Sequence, residues 1–331
     1  MIDVEHLTKR YAATTAVDDI SFEVQPKEIV GFLGPNGAGK TTTLRMLTGY
    51  LAPSSGRVAV GGNDVEERPD LVKRAIGYLP ENVPLYPEMR VVEYLRYRAA
   101  IKRVPRQRRE RAVGEAIERC RIGDVRRRIV GQLSKGYRQR LGLADTLVGD
   151  PGILVLDEPT IGLDPNQIRD VRELVRELGR ERTVILSSHI LPEVEAVCSR
   201  VLIIDRGRIV GRGRPDELRA GLRGGGATID VEVRDERGRA AEALAAIEGV
   251  RSVEGPQPTG EGTAGFALET SSDAAVRERI FDAAVESGFK LLKLSSRAAS
   301  LEDIFVQITT REEEPPAADE PPAADEKEER P

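Results

Sequence analysis

Residues Gly34-Pro35-Asn36-Gly37-Ala38-Gly39-Lys40-Thr41 stand directly after an apolar run, Ile29 to Leu33, and before a helical run from Thr42 to Thr48. A strand, a glycine-rich turn and then a helix are the context a phosphate-binding loop requires. The glycines let backbone N–H groups curl around phosphate oxygens, and the helix N-terminus adds partial positive charge. Lys40 is placed to reach β and γ phosphates and the Thr41 hydroxyl to ligate Mg²⁺. Gly34 to Thr41, with Thr42 behind them, are therefore the expected nucleotide contacts. Further on, Ile153 to Leu156 followed by Asp157-Glu158 puts two carboxylates at the carboxyl end of a buried strand, where ligands of open α/β sheets gather. Asp157 is expected to organise Mg²⁺ through water and Glu158 to act as general base on the attacking water, a structural ion pair being the blander alternative. His189 ends a further run, Thr183 to Ser188, on the same edge, placed to bond a γ-phosphate and position that water. The other histidine, His6, has no such frame and is assigned no role.

The elements around these residues alternate short β-rich runs with helical patterns over the first 220 or so positions, the mark of an α/β layer architecture. Ile29 to Leu33, Ala75 to Leu79, Ile153 to Asp157, Thr183 to Ser187 and Val201 to Asp205 are apolar without strict alternation, as strands buried on both faces are. They are the expected core sheet, mostly parallel. Val4 to Leu7, Ile20 to Val24 and Val58 to Val60 read as an antiparallel edge sheet. A helical insert is expected over about 85–148, with many arginines between Val91 and Val130 that read mainly as a solvated helical face.

Residues 221–227, including Gly224-Gly225-Gly226, read as a flexible linker. Over 228–310 the order βαββαβ predicts a small α+β, ferredoxin-like accessory unit with no catalytic constellation. Its last piece, Ser300 to Ile308, patterns as an amphipathic helix with Leu301, Ile304, Phe305 and Ile308 on one face. Residues 311–331 repeat Pro-Pro-Ala-Ala-Asp-Glu and are expected to be a disordered acidic tail.

Of 331 residues, 40% are apolar, enough for sizeable cores in about two domains. The formal charge of −5 comes from the tail, which holds nine acidic and three basic residues. The remaining body is near neutral, so neither nucleic-acid binding nor a preference for acidic substrates follows. Two cysteines, Cys120 and Cys198, make no disulfide framework and suit a reducing compartment. Met1 to Arg10 lacks the apolar stretch of a secretory signal, and no segment reaches the roughly 18 consecutive apolar residues of a membrane span. A membrane role is expected to come through a partner.

About a hundred residues after the phosphate loop, Leu133-Ser134-Lys135-Gly136-Tyr137 opens a helix, and Asp157-Glu158-Pro159-Thr160 follows. With that combination the chain resembles the ATP-binding-cassette (ABC) ATPases, across roughly residues 1–220. The resemblance implies that Tyr11 stacks on adenine and that Ser134 and Gly136 meet the γ-phosphate of ATP held by a second subunit. Two subunits would pair head to tail, with Asp164 in the loop that crosses between them. Ser134 as a helix N-cap presents a hydroxyl and free N–H groups to an anion, while Asp164 also suits capping the helix that starts at Pro165.

Glu81 stands where the family usually has a glutamine that contacts Mg²⁺ and the water, and Lys135 and Tyr137 replace the usual glycine and glutamine of the signature. With these, the linker and the Leu301-Glu302-Asp303-Ile304-Phe305 ending, the chain is similar to ATP-binding subunits of ABC-2-type exporters, including those associated with gliding motility and multidrug export. That implies polytopic membrane permease subunits docking beside Glu81 to Met89, a homodimer of ATP-binding subunits, and a peripheral place on the cytoplasmic face of a membrane. A soluble ABC ATPase acting on nucleic acid or ribosomes is the second reading. It is disfavoured because neither a coiled-coil insertion nor a second cassette is visible. A non-hydrolysing ATP sensor is the third, opposed by the intact Glu158 and His189.

Overall fold

The computed structural model describes residues 1–221, 227–235, 238–260, 262–270 and 273–297. The chain opens with a hairpin of β1 (Ile2–Tyr11) and β2 (Thr14–Val24), followed by β3 (Ile29–Leu33) and α1 (Lys40–Leu47). Next come β4 (Ser55–Val60), β5 (Asn63–Asp64), α2 (Pro69–Ala75) and β6 (Ile76–Leu79). The helical insert is built from α3 (Val91–Ile101), α4 (Arg106–Arg119) and α5 (Lys135–Leu147). Then β7 (Ile153–Leu156), α6 (Pro165–Gly179), β8 (Thr183–Ser188), α7 (Leu191–Val197), β9 (Arg200–Asp205), β10 (Arg208–Gly213) and α8 (Pro215–Gly221) follow.

Six strands form the central sheet in the order β10-β9-β3-β8-β7-β6. All neighbours are parallel except β10, an antiparallel edge strand that the sequence pattern did not single out. β7 and β8 are buried at every position, which is why their sequences run apolar without alternation. The edge sheet is separate, in the order β2-β1-β4-β5, with alternate residues such as Ile20, Phe22 and Val24 turned inward. One apolar cluster joins this sheet and α1 to one face of the central sheet. The other face packs against the helical insert, α6 and α7.

That second layer comes very close to the strands. A Cβ on Gly142 of α5 would lie 2.7 Å from a Leu79 methyl, so only glycine lets the helix settle on the end of β6. α6 buries Val171, Leu174, Val175 and Leu178, spaced as one helical face.

β11 (Ala227–Arg234), α9 (Ala240–Ala245), β12 (Val250–Gly260), β13 (Thr263–Thr270), α10 (Asp273–Ser287) and β14 (Lys290–Arg297) make the expected βαββαβ unit. Its strand order β12-β13-β11-β14, antiparallel throughout, is that of a ferredoxin-like sheet. Its own core includes Ile229, Val231, Val233, Leu244, Phe266, Leu268, Val276 and Ile280. β12, at 11 residues, is the longest strand of this sheet. Residues 222–226 of the expected linker, the segment Ser300 to Ile308 and the acidic tail lie outside the described residues. Among the described residues, no helix is long and apolar enough to cross a membrane.

Candidate nucleotide site

Adjacent parallel strands bring residues distant in sequence to one sheet edge. β3 leads into the glycine loop, β7 ends just before Asp157 and Glu158, and β8 ends just before His189. Because β8 lies between β3 and β7 in parallel register, all three carboxyl ends meet. The loop is shaped at Gly39, whose φ of +104° is left-handed and whose Cβ, if present, would stand 2.4 Å from the Ala16 carbonyl oxygen. No side chain caps the N-terminus of α1. Its first amides are therefore free to face an anion.

Lys40 is buried, and its Nζ donates to the Gly34 and Pro35 carbonyls at 2.7 and 3.1 Å. The same Nζ is 3.5 Å from Glu158 Oε1. Asp157 Oδ1 accepts from the Thr41 hydroxyl at 3.1 Å and from the Ser187 hydroxyl at 2.6 Å. Ser187 Oγ in turn accepts the Glu158 amide at 2.9 Å, which holds Glu158 at a left-handed φ of +47°. On the far side of its carboxylate, Glu158 Oε2 pairs with His189 Nδ1 at 2.9 Å. Thr41, Lys40, Asp157, Glu158 and His189 thus form one cluster.

Two oxygens in this cluster, Asp157 Oδ2 and Glu158 Oε1, are buried without a hydrogen-bond partner. Buried carboxylate oxygens are costly unless satisfied, so these mark where a cation and a water belong. The donor set fits Mg²⁺: one hydroxyl from Thr41 and one carboxylate from Asp157, the remaining positions being left for phosphate oxygens and water. Accordingly, among the described residues no group of three His, Cys, Asp or Glu side chains forms a metal cage. Beside the cluster, burial, with the Asp157 charge second, pushes the Tyr78 phenol up to about 12, so it stays neutral.

The other expected site residues lie elsewhere. Tyr11, nearly half exposed at the end of β1, has Lys9 Nζ 5.4 Å from its ring centre. Its hairpin partner β2 passes the glycine loop at Ala16. Glu81 is exposed two residues beyond β6 and, among the described contacts, bonds to neither Thr41 nor Asp157. Ser134 caps α5 by accepting the Tyr137 amide at 3.4 Å. Asp164 caps α6 by accepting the Gln167 amide at 3.0 Å. These two caps are neighbours: a Cβ on Gly136 would fall 2.6 Å from the Gln167 side chain, and one on Gly162 would fall within van der Waals overlap of Lys135 Nζ. Tyr137 donates its hydroxyl to Asp124 at 2.5 Å, so the residue replacing the usual glutamine is an anchor for the helix.

Two groups in the site escaped the sequence reading. Ser187 serves Asp157 and Glu158 together. Glu193 on α7 is buried, with Oε2 accepting from Thr160 and Ser188 hydroxyls and Oε1 3.9 Å from Arg172. It therefore ties the segment after Glu158 to the residue before His189. The Ser-Ser-His run was the available signal for both serines. Nothing local marked Glu193, whose partners are 33 and 5 residues away.

A family profile described as "ABC transporter" matches residues 17–161, and one described as "ATP-binding protein DrrA1-3-like, C-terminal domain" matches 213–309. The Nod factor export ATP-binding protein I of Rhizobium etli is 34% identical over 316 residues, spanning 95% of this chain and 94% of that protein. The bacitracin transport ATP-binding protein BcrA of Bacillus licheniformis is 32% identical, with 93% and 97% covered. The daunorubicin resistance ATP-binding protein DrrA3 of Streptomyces coeruleorubidus is 38% identical over 252 residues, with 75% and 79% covered. Among solved structures, the ATP binding subunit of an ABC transporter superposes with a TM-score of 0.61 at 29% identity, covering 67% of this chain and 93% of that one. A dimeric ATP-binding cassette bound to ADP and phosphate shares the fold, with a TM-score of 0.60 at 21% identity, covering 65% and 98%.

Proposed function

The chain belongs to the ABC transporter ATP-binding family, and we propose that it energises an ABC-2-type exporter whose membrane-spanning subunits are separate polypeptides. It binds and hydrolyses ATP, with Mg²⁺ as cofactor. The observation that carries the reading is the cluster of Lys40, Thr41, Asp157, Glu158 and His189 on one sheet edge, with two buried carboxylate oxygens in it that accept no hydrogen bond.

In this mechanism Lys40 exchanges the Gly34 and Pro35 carbonyls for β and γ phosphate oxygens, and the α1 amides complete the cradle. Thr41 and Asp157 would hold Mg²⁺, whose charge would offset that of the phosphates. Glu158 takes a proton from water as the water oxygen bonds to the γ-phosphorus and the bond to ADP breaks, giving ADP and phosphate. His189, bonded to the other oxygen of Glu158, keeps that carboxylate aimed. Tyr11, on the hairpin beside the loop, would stack on adenine, and Glu81, just beyond β6, would be a further ligand for Mg²⁺.

Two copies pair head to tail, Ser134, Gly136 and Asp164 of one facing the nucleotide of the other. Supporting this, the Ser134 and Asp164 caps adjoin each other, are exposed, and among the described contacts touch neither Lys40 nor Glu158 of their own chain. The permease docks beside Glu81 to Met89 on the cytoplasmic face of the membrane. There Tyr86 and Tyr97, both exposed, meet edge to face at 5.6 Å, the aromatic character enriched in interfaces. The test is to tag the chain in its native cell, wash membranes with high salt, solubilise gently and identify what co-purifies. A polytopic membrane protein supports the proposal. Recovery only in the soluble fraction, with nucleic acid or ribosomes, overturns the transport reading and leaves the ATPase chemistry standing.

A further inference from the structure

A recess of about 980 Å³ opens between α2, the turn from α3 to α4, the start of α4 and the turn at residues 148–151. It lies beside Ile76 and Pro151, at the amino ends of β6 and β7. The nucleotide cluster sits at the opposite, carboxyl edge of the same sheet. The recess is therefore a separate place on the molecule.

Its charge is strongly one-sided. Lys73, Arg74, Arg103 and Arg108 line it, all four exposed, and none has an ion-pair partner among the described residues. Arg98 and Lys102 share the single carboxylate of Asp145, at 2.9 and 3.2 Å from the same oxygen, which leaves one further positive charge. The acids in the lining are mostly spent: Glu115 on Arg111 at 2.7 Å and Asp150 on Arg182 at 2.8 Å, with Asp70 remaining. Surface arginines usually find carboxylates nearby, and those at and just beyond the end of α4 do so, as Arg119 with Glu181 and Arg121 with Glu173. Here cations gathered in a concave site outnumber the carboxylates beside them.

The same chain carries the complementary group. Residues 311–331 hold nine acidic and three basic side chains, grouped as Glu312 to Glu314, Asp319-Glu320, Asp325-Glu326 and Glu328-Glu329. Neither this tail nor the lining cations of the recess take part in the proposed nucleotide chemistry. We infer that the acidic tail docks in the basic recess between α2 and α4. Single exposed ion pairs contribute little, about 0–1 kcal/mol, so a free peptide would bind weakly. Docking within one chain is intramolecular, so the many weak pairs act together at an effective concentration set by the tether and not by the protein concentration. A recess also selects an extended chain that enters it over a flat anionic bilayer, which could touch only its rim.

The experiment is a spin-label distance measurement on the full chain. Gly149→Cys puts one label at the recess, where a Cβ meets only the Lys102 side chain at 3.7 Å, an ordinary contact. Ala323→Cys puts the other in the tail. Cys120 and Cys198 are both buried and do not compete for label. A narrow short-distance population at low salt is expected, lost in 0.5 M NaCl as screening shortens. It should be lost also in Arg103→Glu/Arg108→Glu. Combining those with Asp319→Lys/Glu320→Lys/Asp325→Lys/Glu326→Lys should restore it, a recovery that misfolding cannot mimic. ATP affinity should stay unchanged throughout. A broad distribution indifferent to salt and to both reversals overturns the proposal. So does loss of binding to phosphatidylglycerol vesicles in Arg103→Glu/Arg108→Glu with the distances unaltered, since the recess would then serve a lipid surface.

Discussion

Ser187→Ala removes one hydroxyl on which both Asp157 and Glu158, the proposed Mg²⁺ ligand and general base, depend. Its oxygen donates to Asp157 at 2.6 Å and accepts the Glu158 amide at 2.9 Å, and the side chain has no solvent exposure. Alanine keeps the carbon framework, so no apolar transfer energy is lost. The Glu158 N–H is then buried unsatisfied, which costs about 1–3 kcal/mol. The bond to the Asp157 carboxylate, worth about 1.5–3 kcal/mol when charged, is lost as well. Asp157 Oδ1 retains Thr41 at 3.1 Å, which offsets part of this. The variant should be about 2–4 kcal/mol less stable in urea unfolding with an unchanged slope. Because Glu158 loses the bond that holds its left-handed backbone, kcat of Mg-ATP hydrolysis should fall at least about tenfold with KM moved less. A stability change below about 0.5 kcal/mol together with unaltered kcat would refute the claim that Ser187 positions both carboxylates.

Other outcomes follow from the same geometry. Lys40→Ala should abolish ATP binding or hydrolysis, and Glu158→Gln should lower phosphate release by about 10²–10⁴-fold while trapping ATP-bound dimers visible by light scattering. Gly39→Ala should eliminate nucleotide binding, measured by fluorescent-ATP titration, because its Cβ would strike the Ala16 carbonyl at 2.4 Å in a left-handed backbone. Glu193→Gln keeps volume but removes the charge holding Thr160 and Ser188, so kcat should drop with little change in KM for ATP. Burial pushes the Cys120 thiol up to about 12 and the Cys198 thiol up as well. Below the unfolded thiol value near 9 both states hold these protons, so stability is fully present there. As pH rises from 9 toward 12 the unfolded chain releases protons the folded chain keeps, and stability should fall by up to about 1.4 kcal/mol per unit for each thiol. Urea midpoints at pH 8 and pH 10, compared with Cys120→Ala, read this directly.

What the amino-acid sequence determined by itself was the chemistry that depends on local backbone and on strand order. A glycine-rich turn between an apolar strand and a helix is the pattern of a phosphate loop, and the mostly apolar runs before Asp157-Glu158 and His189 patterned as the parallel strands they are. Their carboxyl ends must then converge. The βαββαβ order of residues 227–297 was legible for the same reason, since alternation and helical spacing are local signals. Tertiary structure alone decided which partners each charged group took: Ser187 between Asp157 and Glu158, Lys40 on its own loop carbonyls, Glu193 strapping two segments, and four cations left unpaired in one recess. Side-chain pairing depends on contacts between residues far apart in the chain, and those distances exist only once the layers have packed.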